Sequence, residues 1–364
     1  MSASRTSIVS VMPGVYLAAL VAAALAAQDV PPPAPFRATV NIVVAPTSVI
    51  DVDGGFVSGL QPQDFRLYDN NKLQDVKVDV AYIPISLVVA VQCSAGVEAL
   101  LPKIQRIGPL LQGLVAGEQG EVAVLAFDHR MRLLQDFTSD GKKINDAMHK
   151  ITVGSYTSAM VDAINESVHL LRRRPVDRRR ILLLISETRD KGSRGKVRET
   201  MTEVQLNNVL AYTVNISRLV SELTAKGQPP RPDPMPATAR TMPAGGDATP
   251  TTNAQNNGAG MYGNYIPIFV EIFKQVKYIF VENPAEVLTK FSGGHEFSFA
   301  TERGLEHAIT KIGDELHAQY IITYNPNNKL EGGWHDIRVE VNRPDLALKT
   351  IRTRPGYWMA GVPE

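Results

Sequence analysis

The chain has 364 residues, 44% hydrophobic and 21% charged, with 38 Lys and Arg against 37 Asp and Glu. That length suits two modest domains of roughly 100–200 residues each, with a proper buried core. Near-neutrality argues against a general binder of nucleic acid or anionic membrane. The single cysteine, Cys93, allows no intramolecular disulfide, so the fold must rest on its core.

Arg5 is the only charged residue before Asp29, and an apolar stretch runs from Val15 to Leu25. Ala24-Leu25-Ala26 has the small-x-small form of a cleavage site. Residues 1–27 therefore read as a secretory signal peptide, with an apolar run too short to span a bilayer. An uncleaved anchor is the alternative. The expected location is periplasmic or extracellular, with no transmembrane span after cleavage. Removing Arg5 leaves 37 basic residues against 37 acidic ones.

Residues 28–36 are Pro-rich and read as a spacer. Residues 37–84 form an N-terminal β segment. Phe36–Asp51 alternates and is rich in Val and Ile, Asp53-Gly54-Gly55 marks a turn, and short strands at Asp64–Tyr68 and Val76–Val80 flank Asn70-Asn71. From Ser86 the pattern changes. Leu87–Val91, Glu121–Phe127, Ile181–Ile185 and Leu210–Ile216 are continuous apolar runs, the mark of strands buried on both faces of a parallel sheet. Helical patterns over 98–114, 142–151, 160–171 and 196–206 alternate with them. The fold class is therefore α/β, with a doubly wound, mostly parallel sheet of Rossmann type over residues 85–318.

Residues 226–264 interrupt this domain with Pro229, Pro230, Pro232, Pro234, Pro236 and Pro243 among Gly, Ala, Thr and Asn, a composition that builds no core and reads as a disordered insertion. Helical patterns resume at 265–277 and 284–291, a turn leads from Gly293 into a short strand, and 301–317 is strongly amphipathic. Strands at 320–324, 335–341 and 348–353 make a C-terminal β segment over 319–358. The two β segments form either one small β-sandwich-like domain completed by both chain ends or two separate lobes. The arginines at 172–174 and 178–180 read as a solvated helix end, and Asn215-Ile216-Ser217 as an accidental N-glycosylation pattern.

Ligands of doubly wound sheets bind at the C-terminal strand ends. That directs attention to the loops after Val91, Phe127 and Ile185 and the stretch before Met160: Gln92–Gly96, Ser155–Ser158 and Ser186–Asp190. These loops resemble those of a von Willebrand factor A domain. That family's first strand ends in Asp-x-Ser-x-Ser, and a Thr and a later Asp complete a divalent-ion site. Asp162-Ala163 aligns Ser158 with the Thr, with Thr157 as neighbouring candidate, and Ser186-Glu187 resembles the family's Ser-Asp pair.

The flanks resemble the VWFA-related proteins of acidobacterial type. The matching segments are Val49–Leu60, Asp64-Phe65, Leu67-Tyr68-Asp69, Gly293-Gly294, Tyr320–Pro326 and Arg354-Pro355-Gly356-Tyr357, together covering residues 37–358. The departures matter. Gln92 stands where the family has Asp, Gly96 where it has Ser, and Glu187 is one methylene longer than Asp. Mg²⁺ favours octahedral oxygen geometry with one or two carboxylates. Here Ser94, Ser158 and Glu187 are the metal candidates, with Asp190 in reserve, and the ion site is degenerate.

The resemblance implies an exported, non-catalytic binding module whose strand-end loops (Gln92, Ser94, Gly96, Thr157, Ser158, Glu187, Asp190) engage a protein or cell-envelope partner and no nucleic acid. No cofactor is expected; a Mg²⁺ or other divalent cation at the degenerate ion site is the alternative. A scaffold acting through the β domain or residues 226–264 is the second reading. An enzyme is the remote third, since the loops offer Ser, Gln and carboxylates but no histidine. His-Glu-x-x-His, Gly-x-Ser-x-Gly and phosphate-loop motifs are absent from the sequence.

Overall fold

A computed structural model describes residues 42–79, 83–187, 190, 192–216, 284–299, 301–328, 331 and 333–359. The expected signal peptide, the spacer, the insertion at 226–264 and the helical pattern at 265–277 lie outside the described residues. Among those residues no helix is long and apolar enough to cross a membrane.

The centre is a six-stranded sheet. Its strands are β5 (Ile85–Gln92), β6 (Glu121–Phe127), β7 (Met131–Thr138), β8 (Arg179–Ser186), β9 (Val209–Ile216) and β10 (Glu296–Phe299), in the order β10-β9-β8-β5-β6-β7. All neighbours are parallel except β6 and β7. Every residue of β5 is buried, because helices cover both faces. Leu87, Val89 and Val91 face the helical stretch at 95–116, α1 (Gly141–His149) and α5 (Glu302–Ala318). Val88 and Ala90 face α2 (Met160–Arg172), α3 (Val197–Leu206) and α4 (Pro284–Ser292). Each buried Val or Leu of such a strand contributes about 1.5–3 kcal/mol. The α/β class holds.

Local chemistry altered some expectations. The helix expected over 98–114 is broken into short turns at Ala95–Leu100, Leu101–Gln105 and Gly108–Leu110 and a wide turn at Leu111–Ala116. Pro102 and Pro109 each start a new segment, since proline lacks the N–H that would continue the last one. Strand β7 was not anticipated; a tight turn at Asp128–Arg130 folds it back on β6. The arginines are not simply a solvated helix end. Arg174 forms a two-bonded pair with Glu121 (2.7 and 2.7 Å), Arg178 donates to the carbonyls of Ile85 and Gln119, and Arg180 to those of Arg174 and Asn207. They secure the N-terminal edge of the sheet, while Arg172 and Arg173 stay exposed. Asn215 lies within β9 and donates to Glu296.

The remaining strands make two four-stranded antiparallel sheets. One has β1 (Val43–Asp51), β4 (Val76–Asp79), β11 (Tyr320–Tyr324) and β13 (Leu348–Arg352). The other has β2 (Phe65–Asp69), β3 (Lys72–Gln74), β12 (Gly333–Val341) and β14 (Gly356–Met359). They share one core, in which Ala45, Val49, Phe65 and Leu67 meet Tyr320, Ile322, Ile337 and Tyr357.

At its centre lies the fully buried carboxylate of Asp69. Oδ1 pairs with His335 Nδ1 (2.6 Å) and accepts from Asn328 (3.0 Å); Oδ2 accepts from the phenols of Tyr324 (2.9 Å) and Tyr357 (2.7 Å). Burial, reinforced by Asp69, holds both phenols well above their usual range, so they keep the protons they donate. The other nitrogen of His335 donates to the Glu331 carbonyl (2.6 Å).

The seam between this lobe and the six-stranded sheet is also polar. Glu315 of α5 is buried, pairs with Arg352, and accepts from Ser48 (2.9 Å). Arg354 is buried with no carboxylate partner among the described residues; it donates to the carbonyls of Gly356 and Val44 and to Asn208, and burial pulls it down to about 10. Gly293, at φ 88°, and Gly294 let the backbone pass. A Cβ on Gly293 would lie 2.9 Å from Arg354 N, and one on Gly294 only 1.9 Å from the Ala211 carbonyl.

Asp69→Ala strands four hydrogen-bonding groups and is expected to lower unfolding stability by about 3–5 kcal/mol in urea titrations. Asp53→Ala, on the exposed turn, is expected to stay within about 0.5 kcal/mol of the parent.

Candidate functional site

β5 and β8 run side by side and end together, so Gln92 comes level with Ser186 and Glu187. The loops beyond them are stitched by backbone bonds: Ala95 N–H donates to the Ser155 carbonyl, Gly154 N–H to that of Cys93, and Ala159 N–H to that of Asp128.

The amide of Gln92 is fully buried and its orientation follows from its partners. The N–H of Glu187 donates to it at 2.9 Å, so the oxygen must face that way. The NH2 group then points at Ser94 Oγ (2.7 Å) and, at a longer 3.4 Å, at Glu187 Oε2. A Cβ on Gly96 would lie 3.3 Å from Glu187 Oε1. The longer arm of Glu187 therefore uses space that a side chain at position 96 would take. Gln92, Gly96 and Glu187, the three departures from the family pattern, fit one another.

This donor set does not fit a tightly held divalent ion. The NH2 of Gln92 aims hydrogens at two of the oxygens an ion would need, and turning the amide over would leave the Glu187 N–H facing a donor. Replacing a carboxylate by an amide also forfeits about 4 kcal/mol of attraction to a unit charge 4 Å away at an effective dielectric of 20. Among the described residues no group of three or more His, Cys, Asp or Glu is placed to hold a metal ion.

The other expected residues divide. Ser94 joins the Gln92 bridge. Ser158 is buried on the 155–159 segment, and its hydroxyl has no hydrogen-bond partner among the described residues. Thr157 is half-buried, and its carbonyl accepts from Ser155 Oγ (3.2 Å). Asp190 is engaged elsewhere. Its Oδ1 accepts from the amides of Met160 (3.2 Å), Ser193 (3.2 Å) and Gly192 (3.4 Å), tying its loop to the start of α2. Asp162 does likewise for Arg194 (3.0 Å) and Gly195 (2.7 Å).

A further group was missed. Asp128 is buried at the end of β6 and accepts from the amides of Arg130 (2.7 Å) and Ser155 (2.8 Å). His129 beside it places Nδ1 at 2.6 Å from Ser155 Oγ and 3.4 Å from Asp128 Oδ2. The expectation that these loops lack a histidine is thus wrong. Both Ser155 and Asp128 address the same ring nitrogen, however, whereas a Ser-His-Asp relay needs them on opposite nitrogens. Asp128-His129 directly after an apolar strand is the signal in the sequence that points to it. Cys93 is buried, its thiol pushed up by burial despite Arg132 at 3.2 Å, which makes it a poor nucleophile.

No protein-family model matches the sequence, and no curated protein matches it. Solved structures of low identity are similar. BatB from Bacteroides thetaiotaomicron is 15% identical, with 36% of this chain and 66% of that one covered at a TM-score of 0.32. An aerotolerance-related membrane protein from Bacteroides fragilis NCTC 9343 is 14% identical over 63% of this chain and 98% of that one, at 0.37. The SpRpn10 VWA domain is 14% identical over 40% and 84%, at 0.31.

Burial pushes the carboxyl of Asp128 up, but the amides of Ser155 and Arg130, with the charges of His129 and Arg130, outweigh it and hold it below its ordinary 3.8. A depressed carboxylate stabilises the fold above its unfolded value and loses that contribution as pH falls through the folded one. The stability gap between the parent and Asp128→Asn is therefore expected to shrink as pH falls from neutral to below 3.8 in urea titrations; a constant gap would contradict this.

Proposed function

We propose that the chain is an exported, non-catalytic binding module. In this reading residues 85–318 are a doubly wound von Willebrand A-like domain, residues 37–84 and 319–358 build a small β-sandwich from both ends, and the flanking segments follow the acidobacterial type. The module engages a protein or envelope partner through the loops at the C-terminal ends of β5 and β8. The observation that carries this is the Gln92–Ser94–Glu187 bridge. It keeps the family's binding frame while an amide proton donor stands where a cation would be held.

Two arguments support a role without catalysis. The Ser155, His129 and Asp128 side chains lack relay geometry, and Asp162 and Asp190 are spent on backbone amides. The apolar leader over 1–27 supports export.

Two measurements test the proposal. Calorimetric titration with Mg²⁺, Mn²⁺ and Ca²⁺ is expected to stay flat into the millimolar range. Saturating heat that Glu187→Ala abolishes would overturn the ion-independent form. Cross-linking and pull-down from the native envelope should lose the partner with Gln92→Ala or Glu187→Ala. A scaffold acting through residues 226–264 predicts loss on deleting that stretch instead.

A further inference from the structure

At the N-terminal end of β9, opposite the strand ends that carry the candidate loops, Arg354 lines a small cavity between β1, β9 and the C-terminal ends of α3 and α4. Its volume of about 20 Å³ is room for one water-sized group. Val44, Pro46, Val209 and Phe291 make an apolar wall. Ser292 also lines it, but its hydroxyl is spent, accepting from the Ala211 N–H (3.0 Å) and donating to the Thr289 carbonyl (3.1 Å).

Burying a charge costs heavily unless it is paired. Arg354 is only 5% exposed, yet its three acceptors are neutral: the carbonyls of Gly356 (3.1 Å) and Val44 (3.2 Å) and Oδ1 of Asn208 (3.2 Å). Nη2 has no acceptor among the described residues. The stretches that form the cavity, 42–51, 197–216, 284–299 and 348–359, are described along their whole length. Their carboxylates are Asp51, Glu199, Glu203, Glu286 and Glu296, and none of these lines the cavity or bonds to Arg354. Nor does Arg354 serve the end of α3. There Arg180 donates to the Asn207 carbonyl (3.1 Å), and the Asn208 N–H donates to that of Gln205 (3.1 Å). Burial lowers Arg354 to about 10, which still leaves it charged at neutral pH.

Asn208 brings a second donor. It sits at φ 49°, just past the end of α3. Its Oδ1 faces Arg354, so its NH2 is turned out, with no acceptor among the described residues. A guanidinium nitrogen and an amide NH2 beside an apolar wall suit a small ion with one negative charge. A larger dianion would exceed both the room and the donors.

We propose that this cavity binds a small monovalent anion, a halide or the carboxylate head of a small acid, held by Arg354 and Asn208. The ion joins the β lobe, which supplies Arg354 and Val44, to the C-terminal end of α3. The site stands apart from the strand-end loops and does not depend on their role.

The test starts with the chain in sulfate buffer. Chloride or acetate then replaces sulfate at constant ionic strength while the Arg354 Nε–H and Asn208 side-chain NH2 signals are followed by nuclear magnetic resonance. At least one of the two anions is expected to shift both signals saturably in the millimolar range. A response to chloride alone identifies a halide, and a response to acetate identifies a carboxylate head. Asn208→Gly keeps the positive φ at no steric cost. It should weaken binding, read at Arg354, roughly tenfold, the loss of one hydrogen bond to a charged group. Asn208→Asp places a carboxylate against Arg354 and should abolish the response in a folded chain. Signals that move with neither anion, or a response that Asn208→Asp leaves intact, would overturn the inference.

Discussion

A strand covered on both faces can display chemistry only at its ends, and β5 is such a strand. All eight of its residues are buried, and its hydrogen bonds go to β6 on one side and β8 on the other. Packing decides everything along its length, so the first position whose side chain reaches the loops is Gln92. The parallel neighbours end at the same level, and their loops have nowhere to go but over that edge. The site is thus placed by the burial of Leu87–Val91, before any question of ligand arises.

The polar groups that look most functional in isolation are mostly structural. Asp69, His335, Tyr324 and Tyr357 form a buried hydrogen-bonded centre, and Glu315 with Arg352 does similar service at the seam. These are the groups whose loss would be felt most, because a buried charge without its partner has no water to fall back on. The rim is different. There, among the described residues, the Glu187 side chain accepts only the 3.4 Å contact from Gln92.

The sequence was most legible where one force dominates. Continuous apolar runs located β5, β6, β8 and β9, and the periodicity at 301–317 located α5 with Thr301 as its cap. It was least legible where a turn or a partner decides. Strand β7 alternates weakly and exists because the Asp128–Arg130 turn returns it to β6. Asp190 lay in a binding loop by sequence, yet three amides claim it. The motifs that carried the family resemblance turn out to be joints: Gly293-Gly294 for close backbone passage, Arg354 for the seam, Tyr357 for Asp69, and Tyr320, whose phenol accepts from Leu60 N–H and donates to the Val57 carbonyl. Conversely, Gln92, Gly96 and Glu187 each look like a loss when taken singly, and only their contacts show that they compensate.

Asp69 also sets an order of events for a chain made from its N-terminus. Its side-chain partners lie 255 to 288 residues downstream. Closing so long a loop costs little more than closing a short one, since the entropy grows only with the logarithm of length. The partners must nevertheless exist first. The six-stranded sheet can assemble once α5 has emerged, whereas the lobe waits with its carboxylate uncovered until Tyr357 has been added. A molecule that ends before Tyr357 would therefore carry a folded six-stranded sheet on an unfinished base, marking itself as incomplete to any protease that samples it.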